Sequence, residues 1–276
     1  MSTGKVIGAN LKYDQVLRTR NGLGSYLMAL TRDLKAKDDR LTVVRVFPHW
    51  FPLMQLHPNI KEKVADAVDL GAQDIHYTEG GSFTNAPISA KDLVSLGYRH
   101  TLIGHSETRV YFGVTDAGVA KKLDAAFRAQ IFPTVCLGEN IQDKKANLTG
   151  VVLKRQIEEG IIPALVDQDL SRQQPFEIAY EPVYAIAGFA KMLGLEPGKA
   201  EDKDIVDAHT TIREVLSREG FQKTADNVRI LYGGSAKPSN AEELLRLPGV
   251  DGLLVGTASW EVEGMIELCR IAETLG

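Results

Sequence analysis

The sequence predicts an α/β fold in which eight parallel strands, each followed by a helix, close into a single (β/α)8 barrel. Three observations carry that expectation: eight short apolar runs are spaced along the chain, helical patterns lie between them, and 276 residues divide into roughly 35 per strand–helix unit. Domains of about 150 residues would give two, but α/β barrels run to about 250 residues as one unit. No Pro/Gly/Ser-rich linker, shift of composition or block of charge marks a boundary. Residues 1–276 are therefore read as one barrel domain, with an open doubly wound sheet as the competing architecture.

In order, the apolar runs are KVIGAN, LTVVRVF, AVDLGAQD, HTLIGH, FPTVCLG, FEIAYEP, NVRILYGG and GLLVGT. Each is too short for a buried helix and mostly apolar on both faces, as a parallel strand covered by helices must be. Apolar residues three and four apart mark helices in GSYLMALTRDLKA, TDAGVAKKLDAAFRAQ, DIVDAHTTIREVLSR and VEGMIELCRIAETL. SAKDLVSLG adds a short helix, with Ser89 as its N-cap and Gly97 as its stop. After the sixth run, AGFAKMLGLEPGKAEDKD (187–204) is long and Gly-rich, and is read as an extended loop of functional length.

Composition excludes several classes of function. With 44% hydrophobic and 25% charged residues the chain is globular, not disordered or collagen-like. Thirty-two Lys and Arg against 36 Asp and Glu give −4, with no basic face for nucleic acid or a membrane surface. Nothing approaches 18 uninterrupted apolar residues, so the expectation is a soluble, cytoplasmic protein. Cys136 and Cys269 are far apart and sit in apolar patterns; they are read as buried packing residues in a reducing compartment.

In a barrel, the residues after each strand face one pocket. Asn10 and Lys12 come after the first, His105 and Glu107 after the fourth, and Glu181 after the sixth. Gly233, Gly234 and Ser235 come after the seventh, and Gly256 and Thr257 after the eighth. A carboxylate, an imidazole and a lysine sharing a pocket with glycines after strands seven and eight point to acid/base chemistry on a phosphorylated small molecule. Glycines let backbone N–H groups approach phosphate oxygens, and the N-terminus of the next helix adds partial positive charge. One histidine without a cluster of ligands argues against a metal, and no cofactor is expected. His49, His57, His76, His100 and His209 are given surface or structural roles. Gly22-x-Gly24 lacks a third glycine and comes directly after no strand, so no nucleotide site is placed there.

Five motifs then carry a resemblance: Gly8 to Lys12, GHSETR (Gly104 to Arg109), AYEPVYAIAG (Ala179 to Gly188), LYGGSAKP (Leu231 to Pro238) and DGLLVGTAS (Asp251 to Ser259). In that order, from strand one to strand eight, the chain resembles the triosephosphate isomerase family. The resemblance implies Glu181 as the base that moves a proton between the carbons next to the carbonyl, and a neutral His105 as the electrophile. Lys12 supplies positive charge, Asn10 positions it, and Glu107 stands as a buried carboxylate beside it, supporting it or relaying a proton. Ala187, Ser235, Gly256 and Thr257 hold the phosphate, while Pro182, Tyr184, Tyr232, Gly233 and Gly234 form the lid and its support. The same resemblance implies a cofactor-free aldose–ketose isomerase of glycolysis and gluconeogenesis, working through an enediolate as a homodimer on dihydroxyacetone phosphate and glyceraldehyde 3-phosphate. The alternatives are a tetrulose phosphate substrate, such as erythrulose phosphate, or a non-catalytic sugar-phosphate-binding paralogue.

The chain departs from the family pattern in three places. The lid, usually Pro-Val-Trp-Ala-Ile-Gly-Thr-Gly-Lys, here begins Pro182-Val183-Tyr184-Ala185-Ile186-Ala187-Gly188-Phe189 and runs into an insertion. Thr257 stands where a second glycine is common, and Ser259-Trp260-Glu261-Val262-Glu263-Gly264 is similar to isomerases of four-carbon ketose phosphates. In the third loop the usual glutamate is gone from Gly81 to Pro87, its arginine partner is Thr108, and Val114 replaces a further glutamate. Losing both partners strands no charge, and Thr84 is kept, so a dimer with an altered interface is expected.

Overall fold

The computed structural model describes residues 4–39, 41–81, 88–166, 175–186 and 200–276. Eight parallel strands, β1 (Val6–Asn10), β2 (Val43–Phe47), β3 (Asp69–Ala72), β4 (His100–Ile103), β5 (Phe132–Leu137), β6 (Glu177–Tyr180), β7 (Arg229–Tyr232) and β8 (Gly252–Val255), succeed one another round a closed barrel. β8 pairs back onto β1 with Val6 opposite Gly252 and Ala9 opposite Val255. Closure leaves no strand edge unpaired and brings all eight carboxyl ends round one mouth. The open-sheet alternative is thereby excluded, and every strand lies inside the run expected for it.

Side chains alternate across each strand. Outward residues such as Ile7, Val44, Val46, Val135, Ile178, Ile230 and Leu253 join the core between barrel and helices. Inward residues Val6, Phe47, Leu102, Cys136, Ala179, Leu231 and Leu254 form a separate plug inside the barrel. The helix Arg20–Asp33 shows how the outer layer is held: Leu23, Tyr26, Leu27 and Leu30 are buried at spacings of three and four, and the Thr19 side chain accepts from Gly22 N to cap it. Gly22 and Gly24 are thus helical. The short helix Ala90–Ser95 carries the expected Ser89 cap, completed by Asp92 into a capping box, and Gly97 comes after it at φ +77°.

One expectation needs correction, and two features go beyond the sequence reading. The stretch read as loop through residue 204 already contains the first turn of the helix Asp202–Arg218; residues 187–199 lie outside the described residues. The helix Thr149–Gly160 is absent from the sequence reading because its buried face includes Gln156, which breaks the apolar pattern. That amide is satisfied by the Gly138 backbone, accepting from N at 2.8 Å and donating to O at 3.1 Å. Finally, the strands are not apolar throughout. At the amino-terminal end of the barrel Arg45 and Glu177 form a buried ion pair at 2.5 Å, with Asp69, His100 and Arg229 around it. Burial, and then the Arg45 charge, push His100 down to about 4, so it stays neutral among these groups. Both cysteines are free and buried, as expected.

A buried pair is costly to break from one side and cheap to remove whole. Arg45→Met alone is expected to lower the unfolding free energy by about 3–5 kcal/mol, and Arg45→Met with Glu177→Leu by far less. Urea titration of both variants checks this; equal losses would show that packing, not stranded charge, governs this end of the barrel.

Candidate active site

Asn10 ends β1 with its side chain inward and buried, and its Oδ1 accepts from Lys12 N at 3.1 Å. Lys12 itself has φ +50°, a left-handed conformation that costs a non-glycine residue about 1–3 kcal/mol. The bend carries its side chain past Gly256, where an added Cβ would meet Lys12 Cε at 3.2 Å. The lysine Nζ ends 2.7 Å from Glu107 Oε1. Glu107 is only partly covered, its side chain 33% exposed, because it sits in the first turn of a surface helix; the expectation of a buried carboxylate is corrected here.

After β4 the chain turns sharply at Gly104, φ +70°, and enters the helix Ser106–Phe112 with His105 as its N-cap. His105 Nδ1 accepts from Glu107 N at 3.1 Å. A nitrogen that accepts has no proton, so the imidazole is neutral and its single N–H is at Nε2. That Nε2 lies 3.1 Å from Glu181 Oε1. The other carboxylate oxygen, Oε2, accepts from Ser106 N at 3.0 Å. His105 is 6% and Glu181 2% exposed.

Glu181 comes directly after β6, its backbone N–H donating to Leu137 O at 2.8 Å. Two glycines make room for it. A Cβ on Gly233 would come within 2.8 Å of Glu181 Cγ, and one on Gly138 within 2.0 Å of Glu181 O. Beneath it the Cys136 thiol is raised well above its ordinary value, by burial first and by the Glu181 charge second. Pro182 leads into a 3-10 turn, Val183–Ala185, the described start of the loop after β6 that is expected as the lid's stem. Ser235 Oγ donates to Ala185 O at 2.6 Å, tying the loop after β7 to that stem. Gly234 is bare because a Cβ there would sit 2.1 Å from the Tyr232 hydroxyl. Gly256 comes directly after β8, and an exposed Thr257 opens a 3-10 turn that ends on buried Ser259.

The barrel thus brings Asn10, Lys12, His105, Glu107, Glu181, Ser235, Gly256 and Thr257 to one mouth. Ala187, Thr84 and the tip of the lid lie outside the described residues. Thr108 spends its hydroxyl on His105 O at 2.8 Å, and Val114 packs on the core. Trp260 likewise packs against the core. The other histidines hold structure: His49, His57 and His76 accept backbone N–H groups, and buried His209 engages Gly249 O at 2.9 Å.

Two supporting residues escape the sequence reading. Glu139, fully buried after β5, accepts from Tyr180 and Thr149, and its carbonyl receives Val183 N at 3.0 Å. Burial pushes its carboxyl up, and the hydrogen bonds offset only part of that. Its position one residue past a strand-end glycine is the signal that could have found it. Gln73, one residue past β3, donates to the carbonyls of Lys12 and Phe47.

Comparison with known proteins agrees with this geometry. The triosephosphate isomerase family model matches residues 5–272. A triosephosphate isomerase of Rhodopirellula baltica is 41% identical over 215 residues, covering 76% of this chain and 79% of that protein. One from Geobacter metallireducens is 40% identical over 213 residues, covering 77% and 80%. The crystal structure of triosephosphate isomerase from Bartonella henselae superposes with a TM-score of 0.78 at 29% identity, covering 97% of this chain and 98% of that one. The chain belongs to the triosephosphate isomerase family, a family of isomerases built on this barrel.

Proposed function

We propose that this chain interconverts dihydroxyacetone phosphate and glyceraldehyde 3-phosphate, as an enzyme of glycolysis and gluconeogenesis in the cytoplasm. The observation that carries the reading is the contact of Glu181 Oε1 with the one N–H of a neutral His105 at 3.1 Å. Without substrate, base and electrophile cap one another. A bound carbonyl oxygen takes the place of the Glu181 oxygen at His105 Nε2, and frees the carboxylate to face the adjacent carbon. Glu181 then removes a proton from that carbon and returns it to the neighbouring one, while His105 Nε2–H stabilises the oxyanion of the enediolate. His105 gives that oxyanion its Nε2 proton and takes back the hydroxyl proton of the adjacent oxygen, so that carbonyl and hydroxyl change places. Lys12, at the same mouth, balances the charge of phosphate and enediolate. Ser235, Gly256, Thr257 and Ala187 are assigned to the phosphate.

The unit that acts is residues 1–276 as one domain, since β8 closes on β1. We assign it to a homodimer. What supports this is a set of exposed apolar side chains on the segments after β1, β2 and β4: Tyr13, then Trp50, Phe51 and Met54 in the helix Trp50–Met54, and Tyr111 and Phe112 at the end of the helix Ser106–Phe112, the last 78% exposed. Large apolar side chains left exposed in contact, as Trp50 and Phe51 are, are the kind of surface an interface covers. Neither nucleic acid nor membrane is assigned as a partner; among the described residues no helix is long and apolar enough to cross a membrane.

Kinetics with glyceraldehyde 3-phosphate and with erythrulose phosphate, both in excess chelator, test the substrate and the metal-free chemistry. The triose is expected to give the higher kcat/KM, and Glu181→Gln to lower its turnover by roughly 10²–10⁴-fold. Preference for the tetrulose would move the substrate assignment, and near-normal turnover in Glu181→Gln would remove the mechanism. Sedimentation is expected to show a dimer that Phe112→Asp dissociates; a monomeric parent chain would contradict the assembly.

A further inference from the structure

Lys12 occupies a backbone conformation that lysine does not choose, and the structure shows what holds it there. Its N–H is taken by Asn10 Oδ1 at 3.1 Å and its Nζ by Glu107 at 2.7 Å. Its carbonyl has a third anchor: Gln73 Nε2 donates to Lys12 O at 2.8 Å, and to Phe47 O at 3.0 Å. Phe47 O also receives Leu11 N at 3.1 Å. Gln73 has the inward parity of Asp69 and Gly71, four and two residues before it along β3 and its extension. From that half-buried position its amide ties together the ends of β1 and β2. The amide NH₂ has two hydrogens, one for each carbonyl.

We propose that Gln73 is a positioning residue for the reaction: its amide fixes the left-handed backbone of Lys12, and so the course of the lysine side chain across the mouth. Without the donor, Lys12 relaxes toward negative φ, and its amine leaves the line past Gly256 toward Glu107. The proposal rests on the reading of Lys12 as the cation that faces substrate.

A double-mutant cycle on the full chain tests it, using kcat/KM for glyceraldehyde 3-phosphate. Gln73→Met keeps length and bulk but cannot donate, and is expected to lower kcat/KM about ten-fold or more, the worth of one to two buried hydrogen bonds. Gln73→Glu matches the amide in shape, yet its carboxylate faces two carbonyl oxygens, and it is expected to lose at least as much. In a Lys12→Met background the Gln73→Met change is expected to cost less than about two-fold, because the residue it positions is already gone. Full activity in either Gln73 variant overturns the proposal. So does an equal loss with and without Lys12, which would mean that Gln73 acts by packing the strand ends. If Gln73→Met lowers thermal stability enough to obscure the rates, the shape-matched Glu variant carries the same comparison. Near-normal kcat/KM in Lys12→Met alone would instead remove the role given to Lys12, and is distinguishable from either result.

Discussion

The site turns on one carboxylate, Glu181, which is almost wholly out of water and has few ways of being satisfied. A buried carboxylate needs donors around it. Here they come from the chain after β4, two strands round the barrel: the Ser106 amide at 3.0 Å and the His105 Nε2 contact at 3.1 Å. The glycines beside it, the sharp turn at Gly104 and the capping of a short helix by His105 all serve that meeting of β4 and β6. None of it exists unless the barrel closes with the register that places Glu177 opposite Thr134 and Arg229.

The same closure sorts the barrel interior by height. At the amino-terminal end the charges of Arg45, Asp69 and Glu177 balance one another beside a neutral His100; in the middle an apolar plug seals the axis; at the carboxyl end Lys12, Glu107, His105 and Glu181 meet. The lower pairs stabilise by mutual satisfaction and meet no substrate. In the upper layer, on the proposed function, the contacts of Glu181, His105 and Lys12 are the ones a substrate would replace or recruit. The electrostatic difference between the two ends is one of commitment, since the charges at the bottom are spent on each other and those at the top are parked.

Most of the architecture is legible in the sequence because parallel strands between helices must be apolar, and the eight runs are. The residues after those runs give the site, since a barrel converts position after a strand into position round a mouth. The features that escape are those that obey local rules in order to serve distant ones. Arg45 and Glu177 interrupt apolar strands, and only the inter-strand register reveals that they pair. Gln156 breaks a helix face because it serves Gly138. Glu139 and Gln73 each stand just beyond a strand, where the sequence shows a polar residue but not which backbone groups it will reach. Glu107 is expected to be buried on resemblance, while its place in a surface helix leaves it partly open.

The central claim is that one base moves one proton by way of an enediolate, and hydrogen isotope exchange reads that step directly. With dihydroxyacetone phosphate in D₂O and excess chelator, proton transfer through Glu181 predicts deuterium on the carbon next to the carbonyl, appearing with turnover and vanishing in Glu181→Gln. A carboxylic proton exchanges with solvent whenever the site is open, so some label must enter. Isomerised product wholly free of deuterium would mean that hydrogen passes between the carbons without visiting a base, and would contradict the claim.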